Sequence, residues 1–367
     1  MAKYNWTNET IRERYMECIE LWYKETNPTL KKSYFRTARN LQNFLESKKE
    51  TKPNFSLLES YNFEKENFSQ REFLWEIYQE FAKVTKSPIL NIPDLKNTSL
   101  TPKDILELTY DFYKSLDPFI FKHFMQHFHM RKDHIRFVNQ KDNNDFAGIN
   151  IVISHRNEAF IEVVSENTIN DVITTIHEYG HLTSYTINPF NKCKPNFYYT
   201  EVITLFLELI GADYLGNLFG SDNSIILKAD NHNTMSDFTN ITSRKIDLFT
   251  CEELIPNGYT KNKDFKTIGK ELLNLNFEEI KRLFTNENVE IDDYVIGYIV
   301  AIELYYIYLE DKDKAMYILK KMLLYKAKSE LDYFNNLKRL GIIPNQHIHE
   351  YVITLQSDVL TLSRKHN

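Results

Sequence analysis

The sequence predicts a mainly α-helical protein with one small β element. Only nine Gly and ten Pro occur among 367 residues, and so few helix breakers favour long helices. Two short runs, Gly148–Ile153 and Ala159–Val164, are instead typical of strands. The 25 Phe and 23 Tyr supply enough apolar surface for a large core. We therefore expect a multi-helix fold in which the two runs form a hairpin or part of one small sheet.

The chain divides into a shorter and a longer region. Apolar residues recur at helical spacing over residues 8–50 and again over 70–85. The segment Lys86–Thr101 then combines two prolines with asparagines, which indicates a domain boundary. We expect an N-terminal helical region over residues 1–95 and a second, larger domain over 96–367.

Two helix starts stand out in the larger region. Ser99 or Thr101 is placed to cap the first helix after the boundary. After the β runs, Thr168 and Asp171 have the spacing of a capping box, in which each residue binds the other's backbone. This spacing predicts a helix over about 168–186, immediately after the β element. A helical pattern continues from there to the end of the chain.

Composition excludes several classes of protein. The 45 Lys and Arg against 51 Asp and Glu give a net charge of −6, which argues against a nucleic-acid or anionic-membrane partner. The longest apolar stretch, Tyr294–Leu309, is about one turn short of a membrane span and contains Glu303, so we expect a buried helix. Cys18, Cys193 and Cys251 are odd in number and far apart, which argues against a disulfide framework. With no signal peptide at the N-terminus, we expect a cytoplasmic protein without a membrane partner.

A metal-binding motif lies in the helix predicted after the strands. His177 and His181 flank Glu178 in the sequence His-Glu-Tyr-Gly-His. On a helix, residues four apart differ by about 40° in direction, so both imidazoles can reach one metal ion. Glu178 points about 100° away from His177, beside the ion, where it can take a proton from water that the metal activates.

A catalytic metal site needs a third protein ligand, and the next helix offers two acids. That helix begins at about Tyr199, and Glu201 and Glu208 share one of its faces because they are seven residues apart. One carboxylate would suit the third ligand, and the other would suit a partner that orients a ligand imidazole. The alternative is that both are solvated surface charges.

These residues resemble the thimet oligopeptidase and oligoendopeptidase F family of zinc metallopeptidases. That family shows HExGH, then a glutamate ligand with Ser or Thr three residues on and a second acid seven residues on. Here Glu201 follows His177 by 24 positions, with Thr204 and Glu208 behind it. The resemblance implies one Zn²⁺ ion bound by His177, His181 and Glu201, and Glu208 behind the ligands. It also implies an oligopeptide substrate and a helical metallopeptidase fold with a cleft between two lobes.

Two further segments carry the resemblance. The run Ala159–Val164 is similar to the family's edge strand, which implies that it pairs with the backbone of a bound peptide. The segment Tyr294–Tyr298 is similar to the one whose tyrosine stabilises the transition state; Tyr298 is the better match and Tyr294 the second candidate. Both tyrosines can instead be core aromatics. The resemblance extends from about Leu100 to the C-terminus.

The predicted function is zinc-dependent hydrolysis of peptide bonds in oligopeptides, with Glu178 as the general base. One alternative is a zinc carboxypeptidase of similar helical fold. The other is a zinc-bearing peptide-binding protein that has lost catalysis. The sequence does not predict the cleavage preference or the oligomeric state.

Three other histidines have two interpretations each. His123 and His127, four apart on a predicted helix, could begin a second metal site, but no acid accompanies them at ligand spacing, so a histidine-bearing surface helix is the alternative. His155 lies in the turn between the two β runs, where it is either a substrate contact or an ordinary turn residue.

Overall fold

The computed structural model describes residues 7–47, 75–85, 88–90, 92–94, 98–129, 134–139, 147–153, 158–188, 200–254, 283 and 291–366. In these ranges the chain forms helices α1 (Asn8–Lys24), α2 (Pro28–Ser47), α3 (Trp75–Thr85), α4 (Pro102–Leu116), α5 (Pro118–Phe128), α6 (Ile169–Ile187), α7 (Glu201–Phe219), α8 (Ser221–Leu254), α9 (Ile291–Glu310), α10 (Lys312–Leu324), α11 (Glu330–Arg339) and α12 (Ile348–His366). The strands are β1 (Ile135–Asn139), β2 (Gly148–Ile153) and β3 (Glu158–Ser165). The prediction of a mainly helical fold with a small sheet is confirmed.

Helix starts follow the predicted capping chemistry. Thr101, one of the two candidates, caps α4: its hydroxyl accepts the Asp104 N–H at 3.3 Å, and the Asp104 carboxylate accepts the Thr101 N–H at 2.8 Å. Thr168 precedes α6, and the Asp171 carboxylate accepts the Thr168 N–H at 3.2 Å. Ser165, the last residue of β3, donates to the same carboxylate at 2.7 Å. The strand is thereby tied directly to the start of α6.

The sheet has three strands in the order β1-β3-β2. β3 pairs antiparallel with β2, as the hairpin interpretation expects, with Ile151 opposite Phe160. β3 also pairs parallel with β1, with Ile135 opposite Ile161. The sequence did not predict β1, because a five-residue strand that pairs with a distant segment has little pattern of its own.

The predicted role of β3 as an edge strand is wrong. Residues 158–163 of β3 pair with β2 and residues 161–165 pair with β1, so both sides of the strand carry partners. Residues 161–163 have both partners, so a peptide cannot add to the strand there. Among the described strands, β1 and β2 lie at the edges of the sheet.

Two hydrophobic clusters form the core. In the larger one α7 lies at the centre and packs against α6, α8 and α9. Among the described residues α7 is also the one helix whose length and apolar composition would allow it to cross a membrane, but 67% of that window is buried inside the protein, as in a core helix. The smaller cluster joins α1 and α2 to Ile151 and Phe160 on one face of the sheet.

Helix α3 contributes to the larger cluster. The Phe81 ring lies 6.2 Å from the Tyr298 ring of α9, and the Tyr78 hydroxyl donates to the Thr239 carbonyl of α8 at 2.7 Å. The boundary near residue 95 and the cleft between two lobes stay predictions. Of the cysteines, Cys18 is buried and forms no disulfide with any described residue, and Cys193 lies outside the described residues.

Candidate metal centre

The predicted metal ligands meet between α6 and α7. The Nε2 atoms of His177 and His181 lie 3.1 Å apart, and the Glu201 carboxylate presents one oxygen to each ring at 3.5 Å. In the part of the chain that the structure describes, these residues form the one group of three or more His, Cys, Asp or Glu with ligand atoms within 4.8 Å of one another. The structure therefore brings together the three residues that the sequence singled out.

This spacing fits a metal ion. A tetrahedral ion with His and carboxylate ligands at about 2.0–2.1 Å holds its ligand atoms about 3.3 Å apart. The observed separations of 3.1, 3.5 and 3.5 Å lie close to that value. Two imidazoles and one carboxylate are also a common donor set of sites that keep a fourth position open for water or substrate. The residues present could hold a divalent ion.

The two ligand helices approach closely because a glycine lies between them. A β-carbon on Gly180 would lie 3.0 Å from the Thr204 Cγ2 atom and 3.3 Å from its Cα atom. The Thr204 hydroxyl is buried and donates to the Glu201 carboxylate at 2.9 Å. The glycine of the motif therefore allows α7 to bring Glu201 to the histidines, and Thr204 holds its carboxylate.

Glu208 lies behind the ligands, at the position predicted for an orienting partner. Its carboxylate is 2.5 Å from Nδ1 of His177, on the opposite side of the ring from the ligand atom. The side chain is 15% exposed, so the interpretation as a solvated surface charge does not describe it. A neutral His177 that donates from Nδ1 to this carboxylate keeps the Nε2 lone pair for a metal.

Glu178 lies beside the three ligands and is buried. Its Oε2 atom has no hydrogen-bond partner among the described residues, and its backbone carbonyl accepts from the Asn150 amide of β2 at 3.0 Å. Gly148 of the same strand is so close that a β-carbon there would lie 2.7 Å from Glu178 Oε1. One oxygen of this buried carboxylate thus lies beside the candidate ligands without a partner in the part of the chain that the structure describes.

Burial and charge set the protonation of the centre. Burial lowers the pKa of His177, but Glu208, Glu201 and Glu178 outweigh it and raise this pKa to about 9. Burial raises the pKa of Glu201 to about 8 and that of Glu178 to about 7, with His177 opposing both changes. Burial, together with His177, lowers the pKa of His181 well below its ordinary value. The metal-free centre therefore holds protons near neutral pH that a cation must displace.

The two candidate tyrosines lie in different surroundings. The Tyr294 ring is parallel to the His177 ring to within 6°, with centroids 6.1 Å apart. Tyr298 is fully buried, and its ring contacts Phe81, His232 and Tyr351. Of the two, Tyr294 is the one that the structure brings beside a ligand ring.

Helix α9 also shapes the centre through a glycine. A β-carbon on Gly297 would lie 2.6 Å from the β-carbon of Glu201 and 2.9 Å from its carbonyl carbon. Contacts below 3.0 Å to backbone atoms are not tolerated without a shift of the helix. Gly297 therefore allows α9 to press against the first turn of α7, where the third ligand lies.

The remaining histidines have other positions. His127 Nε2 is hydrogen-bonded to the Thr186 hydroxyl of α6 at 2.7 Å, and burial lowers its pKa to about 4. His123 lies on the same helix, and neither histidine belongs to a group of three potential ligands among the described residues. His155 lies outside the described residues.

Three residues near the centre were not predicted. Gly148 and Asn150 of β2 contact Glu178, and Asn231 of α8 donates from Nδ2 to the second oxygen of Glu208. A single asparagine or glycine without a spaced partner leaves no signal in one sequence. Their contacts arise because distant segments pack together.

Fold and site together define a mainly helical protein with a buried His-His-Glu group that could hold a metal ion. By sequence, no protein-family model and no curated protein matches the chain. Solved structures do resemble it, and all three that follow are assigned as peptidases.

The first is PZ peptidase A with an inhibitor, at a TM-score of 0.53 and 9% identity over 96% of this chain and 76% of that chain. The second is a 3.1 Å structure assigned to oligoendopeptidase F, with a TM-score of 0.53 and 14% identity over 95% of this chain and 66% of that chain. The third is assigned as a peptidase from Chlamydophila abortus, with a TM-score of 0.50 and 12% identity over 97% of this chain and 63% of that chain. This chain spans about two thirds of the last two structures. These likenesses show a fold that is shared with peptidases.

Proposed function

We propose that this protein is a zinc-dependent peptidase that hydrolyses peptide bonds in oligopeptides. The observation that carries the proposal is the convergence of His177, His181 and Glu201 at 3.1–3.5 Å with the buried carboxylate of Glu178 beside them. The peptidase assignment of the structures that share this fold supports the choice of a peptide substrate. His, His and carboxylate ligation suits zinc among the available divalent ions.

When bound, the zinc ion supplies a Lewis acid that activates water and polarises a carbonyl group. Glu178 accepts the proton that the attacking water loses and later delivers it to the leaving amine. Burial raises the pKa of Glu178 to about 7, which suits a group that must both take and give a proton near neutral pH. We assign this transfer to its Oε2 atom, which has no partner among the residues that the structure describes.

Strand β2 replaces β3 as the strand that we assign to peptide binding. Among the described strands it lies at an edge of the sheet, and its Gly148 and Asn150 face the helix that carries Glu178. A peptide that extends the sheet beside β2 would run past the general base, with its backbone held by strand hydrogen bonds. Because such binding uses the peptide backbone, it requires no particular side chain of the substrate.

We assign stabilisation of the oxyanion to Tyr294 ahead of Tyr298. A residue in this role must reach the reacting carbonyl, and the Tyr294 ring lies 6.1 Å from the ring of a proposed ligand. Tyr298 is fully buried among other rings, which supports a packing role.

The test is hydrolysis of internally quenched, C-terminally blocked peptides by the zinc-loaded protein and by its Glu178→Gln variant at equal zinc content. We expect the variant to be slower by about 10²–10⁴-fold, the usual contribution of a general base. Cleavage by both at equal rates would contradict the assignment of Glu178.

Cleavage of the same peptides only after their C-termini are unblocked would favour a carboxypeptidase. Binding of peptides without cleavage, at full zinc content, would favour a peptide-binding protein that has lost catalysis. A protein that takes up no metal at all would overturn the proposal.

A further inference from the structure

Asn231 of α8 contacts the candidate metal centre through Glu208. Its Nδ2 atom donates to Oε2 of Glu208, whose Oε1 is 2.5 Å from Nδ1 of His177. The amide orientation is set by this contact, because an ionised carboxylate only accepts hydrogen bonds and so must face the NH₂ group. A continuous path of polar contacts thus leads from a proposed ligand on α6, through α7, to α8.

We infer that Asn231 is a positioning residue for the metal centre, which acts by fixing the carboxylate that orients His177. The inference rests on the proposed function, since it assigns a role at the same centre. Asn231 would not touch the metal or the substrate.

The physical reason is that one hydrogen bond does not fix a carboxylate. With Oε1 alone engaged, the Glu208 group can still turn about its terminal bond, a broad and soft torsion. A donor on Oε2 removes this freedom and with it the spread of directions available to the His177 ring. Residues that hold a ligand histidine through its second nitrogen typically change metal affinity by about 10–100-fold when they are removed.

An amide suits this position better than a charged side chain. A Lys or Arg would hold Glu208 more strongly but would also compete with His177 for its negative charge. An Asp would place a second carboxylate against the first. The neutral Asn231 amide fixes the geometry and leaves the charge of Glu208 directed at His177.

Asn233, two residues along the same helix, is a matched control. Its amide makes two hydrogen bonds, accepting from the Ile89 N–H at 2.7 Å and donating to the Ile89 carbonyl at 3.1 Å. Removal of this amide would weaken the packing of α8 without any change at Glu208. A general effect of a lost amide is thereby separated from a specific effect on the centre.

The experiment measures the zinc dissociation constant of the full-length protein by competition with a chromophoric chelator. We expect Asn231→Ala to weaken zinc binding about tenfold, and Asn231→Asp at least as much, because it keeps the shape but loses the donor. Asn233→Ala should stay within about twofold of the wild type. In a Glu208→Ala background, Asn231→Ala should have less than about a twofold further effect, since its route to His177 is already cut.

An unchanged zinc affinity in Asn231→Asp and Asn231→Ala would overturn the inference while leaving the proposed function intact. Equal losses with and without Glu208 would also overturn it, because Asn231 would then act by another route. A wild-type protein that binds no zinc would overturn the proposed function, and this inference with it. Should Asn231→Ala not fold, the isosteric Asn231→Asp variant carries the same comparison.

Discussion

Gly297 lies directly against Glu201, with room for no atom between the two residues. A β-carbon at position 297 would come within 2.6 Å of the Glu201 β-carbon. The third proposed ligand therefore depends on a residue of α9 that has no side chain. Its geometry is set by how closely two helices approach rather than by a hydrogen bond.

We expect Gly297→Ala to displace Glu201 and to weaken zinc binding by about tenfold or more, with a loss of stability of about 1–3 kcal/mol from overpacking. The control is Gly211→Ala on α7, where the new β-carbon would meet only the ends of the Ile176 and Ile173 side chains, at 3.2 and 3.3 Å. Zinc titration and urea unfolding of both variants test the prediction. Equal zinc affinity in the two variants would contradict it.

Gly148→Ala should affect the base and spare the metal. The added methyl group would lie 2.7 Å from Glu178 Oε1 and 2.6 Å from Cγ2 of Thr174, so both side chains would have to shift. We expect kcat to fall about tenfold or more, because a displaced base transfers the proton poorly, while the zinc affinity stays within about twofold. Steady-state kinetics beside a zinc titration separates the two effects. A loss of zinc together with activity would show that β2 supports the ligands instead.

Zinc affinity should fall as the pH falls. The pKa of His177 is raised to about 9 and that of Glu201 to about 8 in the metal-free centre. Below these pH values each group is mostly protonated. Protons then compete with the cation, and affinity should weaken by about tenfold per pH unit for each proton displaced. Glu208→Gln removes the main charge that raises the pKa of His177, so the midpoint should move to lower pH. An affinity that is flat between about pH 6 and 9 would contradict this electrostatic picture.

A second pH effect is expected at Glu303 of α9. Burial raises its pKa above the ordinary value of 4.5, although the backbone N–H and the ring of His347 both bind it, at 2.9 and 2.6 Å. A raised pKa in the folded state gives stability that is present below the unfolded value and lost as the pH rises through the folded one. In Glu303→Gln the free energy of unfolding should therefore fall less than in the wild type as the pH rises above about 4.5.

Urea unfolding at several pH values measures this difference. The exposed Glu350 of α12 supplies the matched control, Glu350→Gln, whose curve should follow that of the wild type. If the free energy of unfolding depends on pH in the same way for Glu303→Gln and the wild type, the pKa of Glu303 does not differ between the folded and unfolded states, and the prediction is wrong.

Helical spacing identified the two pairs of candidate residues from sequence, whereas the choice of Glu201 over Glu208 as the third ligand came from the family resemblance. His177 and His181 are one turn apart, and Glu201 and Glu208 are two turns apart, so one helix assignment for each pair fixes which residues share a face. The same reasoning could not rank Tyr298 against Tyr294. Helix α9 is apolar on nearly all sides, so its sequence does not show which face meets the centre.

Contacts between segments that are distant in the chain could not be predicted from the sequence. The pairing of β3 on both sides depends on β1, which is five residues long and lies well before the hairpin in the chain. Asn231 reaches Glu208 from a separate helix, 23 positions along the chain. Nothing in the local pattern of either segment encodes its partner, because packing of the whole fold decides it.

Under the proposed function, the bound ion would stabilise the fold as well as take part in catalysis. Without a metal, the buried Glu178, Glu201 and His177 hold protons near neutral pH, because burial raises the pKa of both carboxyl groups and the neighbouring acids raise that of His177. A cation that displaces these protons binds a group of residues that only the folded chain brings together. A cation at 100 times its dissociation constant would add about 2.7 kcal/mol to the stability of the folded state. Chelation should therefore lower the melting temperature, and a chain without its ion should be digested faster by added protease. A cell that runs short of zinc would lose molecules of this protein to turnover, and its activity would fall through abundance as well as through empty sites.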